Sequence, residues 1–300
     1  MNEVCIGVDL GGTNLRLALV TREGEVLCRV SEPTEAAAGY APLLARLFGA
    51  VARLKGEAVA RGRAAGAVGV GIPGLISGEG VIRSSVNVAA LQGVNLAREL
   101  SVGIGLPVAA LNDANACAIG EQRFGAGRGY RSWLMVTIGT GVGAGVILDG
   151  RLWTGSDGLA GEFGHVTVDP GGRPCGCGNR GCLEQYASAT AIAAGEEGSA
   201  VFARATRGDA ASLARFELAG SSLGLAAAGV LNLLNLEAIV LGGGGAGSFE
   251  LLAPAMRREM LARTLQLSGG RVRIEKGALG DDAGVLGAAA TAFDLIEPAR

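Results

Sequence analysis

Lysine is nearly missing from this chain: Lys55 and Lys276 are the only two, and the remaining side chains of permanent positive charge are arginines. With no lysine beside a glycine turn, the G-x-x-x-x-G-K-[ST] phosphate loop is excluded. Bound phosphate would have to be met by backbone amides, hydroxyls and magnesium. Net charge is only −2, which gives no electrostatic footprint for nucleic acid or an anionic membrane. Aromatic residues are scarce at 4%, so a core must be built from Ala, Val, Leu and Ile. The opening MNEVCIGVDL has no basic stretch followed by an apolar one, which argues against a signal peptide. The most apolar window, 223–241, is interrupted by Asn232, Asn235 and Glu237 and reads as a buried helix and a strand, not a membrane span. A soluble, cytoplasmic protein of two domains or one large one is expected, acting on small molecules.

What the chain has in quantity is glycine, 52 residues, set beside apolar runs and so marking turns and close backbone approaches. Three of the six cysteines, Cys175, Cys177 and Cys182, form a glycine-threaded Cys-x-Cys-x4-Cys run, and the single histidine, His165, lies shortly before it. A disulfide or idle thiols are the alternatives to a metal; clustered thiols without a secretion signal favour metal. Cys3His fills the zinc tetrahedron and leaves no position for a catalytic water, so zinc here would stiffen a loop and do no chemistry itself. Glu162 and Glu184 bracket the run, which suggests a recognition surface. Cys5, Cys28 and Cys117 lie singly in apolar surroundings and read as small core residues.

Along the chain, 4–9 and 15–20 are apolar, strand-like runs joined by DLGGTN, a hairpin turn, with a third strand at 25–30. The turn's amides can cradle phosphate, Asp9 can hold magnesium through water and Thr13 can reach a phosphate oxygen. An ordinary glycine hairpin explains the same residues. Helical spacing covers 42–61, and 67–72 is a buried strand ended by Pro73-Gly74. Asn87 and Asn95 follow, each a turn residue or a hydroxyl binder. A strand at 106–111 meets a helix at Asn112-Asp113, where Asp113 reads either as a helix N-cap or as a base that orients a substrate hydroxyl. IGTGVGAG repeats the strand–turn–strand pattern, so two half-molecules of similar build are expected. Gly242, Gly244 and Gly247 satisfy G-x-G-x-x-G, yet no acidic residue ends a strand at the distance a dinucleotide fold requires. A glycine platform for an adenine ring or phosphates fits as well. A strand at 271–275 and a helix at 283–295 close the chain.

DLGGTN, LNDANA, TIGTGVGAG with GEFGH and CGCGNRGCLE, and LGGGG together resemble the ROK family of sugar kinases and sugar-responsive repressors, along essentially the whole chain. The histidine–cysteine block is the specific part. The resemblance implies an actin-like (ribonuclease H-like) ATPase fold of two α/β lobes around a nucleotide and sugar cleft. The small lobe would span 1–113, completed by the C-terminal helix at about 284–300. The large lobe would span 114–283 and carry the zinc loop 162–184. It implies an ATP-dependent hexose kinase acting on the C6 hydroxyl of glucose, with ATP, Mg2+ and structural Zn2+, as a homodimer or homotetramer. Asp113 matches the family's base. Asn87, Asn112, Glu162, His165 and Glu184 match its sugar contacts, and His165, Cys175, Cys177 and Cys182 its metal ligands. Asp9, Gly11, Gly12, Thr13 and Asn14 match the first phosphate turn; Gly139, Thr140, Gly141 and Gly143 the second; Gly243 and Gly244 the nucleotide platform. A different acceptor (N-acetylglucosamine, N-acetylmannosamine, fructose or allose), a non-catalytic sugar sensor and a nicotinamide-dependent oxidoreductase are the rivals. With the first strand expected at Val4, no helix-turn-helix of the family's repressors is expected ahead of it.

Overall fold

The computed structural model describes residues 3–85, 87–265 and 270–296. Its first sheet begins with β1 (Glu3–Leu10), a β-branched run buried on both faces, as a central strand must be. β2 (Asn14–Val20) returns antiparallel, with Asp9 opposite Arg16 and Leu10 opposite Leu15, and β3 (Val26–Pro33) pairs antiparallel with β2. Helix α1 (Tyr40–Ala60) puts Leu43, Leu47, Ala50, Val51, Leu54 and Ala58 on one buried face, the spacing of an amphipathic helix. Then come β4 (Ala64–Ile72), the short hairpin β5 (Leu75–Ile76) and β6 (Ile82–Ser84), α2 (Leu96–Ile104), β7 (Val108–Asn112) and α3 (Asp113–Phe124). The sheet order is β3-β2-β1-β4-β7, with β4 parallel to both β1 and β7. Asn95 is the N-cap of α2, its side chain accepting from the Arg98 amide at 3.1 Å. Cys5 is buried as expected, but Cys28, on edge strand β3, and Cys117, on α3, are only half-buried.

The second sheet repeats this plan. β8 (Trp133–Ile138) pairs antiparallel with β9 (Val142–Leu148), which is followed by β10 (Arg151–Trp153). After the cysteine loop come α4 (Glu184–Ala187), α5 (Ala189–Ala193), α6 (Gly198–Thr206) and α7 (Ala210–Leu234). β11 (Ala238–Gly242), α8 (Phe249–Arg263) and β12 (Arg273–Lys276) complete the unit, and α9 (Ala283–Ile296) ends the described chain. The order β10-β9-β8-β11-β12, with β11 parallel to β8 and β12, reproduces the first sheet strand for strand. In both, a glycine turn joins the central strand to its antiparallel neighbour. Helix α7 is long and apolar enough to cross a membrane by length and composition alone. Half of its most apolar window is buried within the fold, and it packs along α8 as a core helix.

By contact the chain divides into two units, each with its own apolar core. The first takes in Met1–Arg128, Leu152–Ala160 and Asp281–Arg300; the second takes in Gly129–Arg151 and Gly161–Gly280. The first therefore runs past the boundary at 113 expected from the sequence. The reason is the seam between α3 and α9: a methyl group on Gly287 would run into the Ala116 carbonyl, and one on Gly120 into the Ala283 carbonyl. The two helices touch backbone to backbone, and α9 also lies on β1 and β4. Residues 297–300 of the expected C-terminal helix lie outside the described residues.

Candidate functional site

In the first unit the turn after β1 is closed by the Gly11 amide donating to the Asn14 carbonyl at 2.9 Å. The Thr34 hydroxyl donates to the Gly11 carbonyl at 2.6 Å, and the Thr34 amide to the Thr13 carbonyl at 2.8 Å, so neighbouring chain braces the turn from outside. Thr13 and Asn14 are exposed. Asp9 ends β1 with its carboxylate 3.9 Å from the Arg16 guanidinium, which also faces Asp281 at 3.8 Å. Burial pushes the Asp9 carboxyl up from its ordinary value, Arg16 pulls it down, and Asp281 adds a smaller upward push. Asn87 is exposed and stands against the same turn, its Cβ 3.0 Å from where a Gly12 side chain would begin.

The sequence left Asp113 between cap and base, and the structure gives the cap to its neighbour. Asn112 is the N-cap of α3: its Oδ1 accepts from the Ala114 and Asn115 amides at 2.9 and 3.1 Å. Its Nδ2 donates to the Gly74 carbonyl at 3.1 Å, tying the helix start to the turn after β4. Asp113 is the first helical residue, half-buried, with Oδ1 accepting from the Ala114 amide at 2.9 Å. A carboxylate in the first turn of a helix is stabilised in its charged form. Asp113 and Asp9 both raise the thiol of Cys117, one helical turn into α3, behind the larger effect of burial.

In the second unit the turn between β8 and β9 is closed by the Gly139 amide donating to the Gly141 carbonyl at 2.9 Å. Thr140 is held by the Thr190 hydroxyl, which donates to its carbonyl at 2.9 Å. Glu184, at the start of α4, lays its carboxylate over this turn, Oε2 accepting from the Val142 amide at 3.1 Å. Any side chain at Gly141 would collide with that carboxylate. The expected recognition residue and the expected phosphate turn are thus in direct contact. Glu162, exposed one turn before His165, has its carboxyl raised by partial desolvation, lowered by His165 and raised by Glu184.

The four expected metal ligands come together. One donor atom from each of His165, Cys175, Cys177 and Cys182 lies within 4.8 Å of the others. The Cys177 and Cys182 sulfurs are 3.6 Å apart, and the Cys175 sulfur is 3.7 Å from His165 Nδ1. A zinc ion at about 2.3 Å from sulfur and 2.0 Å from nitrogen has tetrahedral edges of roughly 3.5–3.8 Å, so this set needs only a small adjustment. Burial and the neighbouring thiols push Cys182 up to about 12, whereas hydrogen bonding, first from the Asn179 backbone, lowers exposed Cys177. His165 turns Nδ1 toward the sulfurs and leaves Nε2 3.8 Å from Glu162 Oε2.

Past β11, Gly243 adopts φ +72°, and a side chain there would stand 2.8 Å from the Ile138 carbonyl. The glycines that follow open onto a cavity of about 340 Å3 lined by Gly244, Gly245, Ile138, Ala189, Phe202 and Phe216, among others. It is mostly apolar, as small-molecule pockets commonly are. The sequence pointed to the glycines and missed the two phenylalanines, which have the spacing of ordinary core residues on helices. Of the six expected sugar contacts, Asn87, Asn112 and Asp113 belong to the first unit, and Glu162, His165 and Glu184 to the second.

Residues 5–294 match the model of the ROK family. The chain is 36% identical to a glucokinase of Thermotoga maritima over 95% of each sequence. It is similar to the solved ROK hexokinase of Thermus thermophilus, with a TM-score of 0.84 and 33% identity over 99% of this chain and 100% of that one. A ROK glucokinase of Streptomyces griseus, solved with glucose and AMPPNP, gives a TM-score of 0.82 and 30% identity, over 97% of this chain and 99% of that one.

Proposed function

The chain belongs to the ROK family, and on that premise we propose that it is an ATP-dependent hexose kinase, of actin-like ATPase fold, whose acceptor is glucose. Asp113 accepts the proton of the C6 hydroxyl as that oxygen attacks the γ-phosphorus and the bond to the departing ADP oxygen breaks. A strong base is not needed, because positioning and charge stabilisation carry most of the catalysis and the proton can leave late. The amides of the two glycine turns face the phosphates, and the apolar cavity beside Gly244 takes the adenine. Asp9 would hold Mg2+, which would supply neutralisation of phosphate charge. Asn87, Asn112, Glu162, His165 and Glu184 address the sugar hydroxyls. His165, Cys175, Cys177 and Cys182 would hold zinc, and the ion would supply rigidity that fixes the His165 ring.

One observation carries the reading. The imidazole of His165 is turned so that one nitrogen joins the thiols and the other stands beside the Glu162 carboxylate. An imidazole edge and a carboxylate held side by side offer directional partners to adjacent hydroxyls, and a ligand lacking one of them leaves a polar group covered by the ligand yet unpaired. A coupled ADP-release assay over a panel of hexoses and N-acetylhexosamines tests this. Glucose is expected to give the highest kcat/KM. A higher value for N-acetylglucosamine or N-acetylmannosamine replaces the acceptor, and no sugar-dependent ADP release ends the reading as an enzyme. Family membership also supports a homodimer or homotetramer working in the cytoplasm; sedimentation of the purified protein tests the assembly.

A further inference from the structure

Beneath the metal cluster lies a second fastening that the sequence did not point to. Tyr186, buried on α4 two residues after Glu184, puts its hydroxyl between the two arms of the cysteine loop. It donates to Asp169 Oδ2 at 3.0 Å and accepts from the Arg173 amide at 3.0 Å. The Arg173 side chain folds back over the tyrosine ring, its guanidinium carbon 4.7 Å from the centroid, and Nη1 donates to the Gln185 carbonyl at 2.6 Å. Asp169 lies at the loop's stem, where its amide and that of Val168 donate to the Gly181 carbonyl, next to Cys182. Arg173 lies two residues before Cys175, on the arm that carries Cys175 and Cys177. Gln185 Nε2 reaches the Cys175 sulfur at 3.6 Å. A side chain at Gly172 would displace the tyrosine hydroxyl, so the arm is shaped to receive it.

We infer that Tyr186 is a positioning residue: its hydroxyl fixes the helix bearing Glu184 relative to Cys175, Cys182 and His165, independently of the metal. The inference rests on the reading of Glu184, Glu162 and His165 as the sugar-facing groups. Three parts of the chain meet at this one oxygen, namely the stem, the outer arm and α4. Glu184 spans only the distance from α4 to the Val142 amide, so a small shift of α4 moves its carboxylate off the turn. A buried tyrosine hydroxyl needs a hydrogen-bond partner, and this one has a donor and an acceptor in place.

Tyr186→Phe removes both hydrogen bonds and keeps the ring. In the zinc-loaded protein, KM for glucose is expected to rise about tenfold with kcat changed by less than about twofold, because the loss falls on sugar positioning. Zinc release to a chromophoric chelator is expected to quicken by about tenfold, the scale of outer-shell effects on metal sites. Asp169→Ala should reproduce both changes, while Asp169→Asn, which keeps an oxygen acceptor for the tyrosine, should restore near wild-type values. Should Tyr186→Phe fail to fold, the Asp169 pair decides alone. Unchanged glucose KM and zinc release in Tyr186→Phe and Asp169→Ala overturn the inference, as does an Asp169→Asn protein no better than Asp169→Ala. A wild-type protein that does not bind glucose defeats the proposed function instead, and the zinc-release measurement still tests the tie by itself.

Discussion

Asn112 and Asp113 are adjacent, both polar and both half-buried, yet their loads differ. Asn112 spends its oxygen on two helix amides and an N–H on Gly74, so Asn112→Ala should cost about 1 kcal/mol of stability, seen as a lower Tm. Asp113→Asn should leave that framework intact and lower turnover by about 10²- to 10⁴-fold, with glucose affinity by titration calorimetry little changed. An Asp113→Asn enzyme that turns over normally removes the aspartate from the chemistry. Asp9 carries a different signature. Burial raises its carboxyl in the folded state, so its favourable contribution is present below its ordinary value of 3.8 and is lost as pH rises through the raised folded value. At neutral pH the buried charge is a net cost that Arg16, 3.9 Å away, offsets only in part. Asp9→Asn should therefore raise Tm at pH 7, with the gain shrinking as pH falls toward 3.8, while Mg–ATP-dependent turnover drops. Thermal melts across that range check the sign.

At the scale of elements, the strands and their glycine turns were legible because each is an apolar run stopped by residues that suit a tight turn, and that pattern depends on nothing distant. The cluster of the cysteine loop was legible for a similar reason: His165 and the three cysteines lie close in sequence as well as in space. What could not be read was decided by partners far along the chain. Phe202 on α6 and Phe216 on α7 have the spacing of core residues, and only the arrival of Ile138 and the glycines after β11 makes them the wall of a cavity. Asn112 and Asp113 were both visible at the helix start, but which of them caps it depends on local backbone geometry that composition does not specify. Tyr186 gave no signal, since Asp169 and Arg173 meet it only once the loop has closed. The turn at Gly243 offers a test at this scale. Gly243→Ala forces a side chain onto a backbone at φ +72° and toward the Ile138 carbonyl. It should raise KM for ATP several-fold and cost about 1–2 kcal/mol, with KM for glucose unchanged.

Across the whole molecule the same five-strand plan occurs twice, and each copy has its own apolar core. The second copy alone carries the cysteine loop, joined to its sheet through Glu184 on the turn after β8 and through Gly164, whose bare backbone packs on Val142 of β9. On the proposal that this loop binds zinc, losing the ion should therefore be felt locally. Cys177→Ser removes an exposed ligand without disturbing packing, so the variant should be zinc-free by elemental analysis and bind glucose about tenfold more weakly. In hydrogen exchange it should show faster exchange in 162–187 and in β8–β9, with the first sheet unchanged; equal loosening of both sheets would contradict the division into two cores.

The backbone seam beneath α9 also has a consequence for the order in which the protein is made. A nascent chain that has reached Gly280 already holds every described strand of both sheets, but β1 and β4 still lack the helix that lies on them and α3 lacks its partner. Of the two units, the one whose strands are made earlier is thus the later to be finished, and until α9 emerges it presents an aliphatic surface that this helix covers.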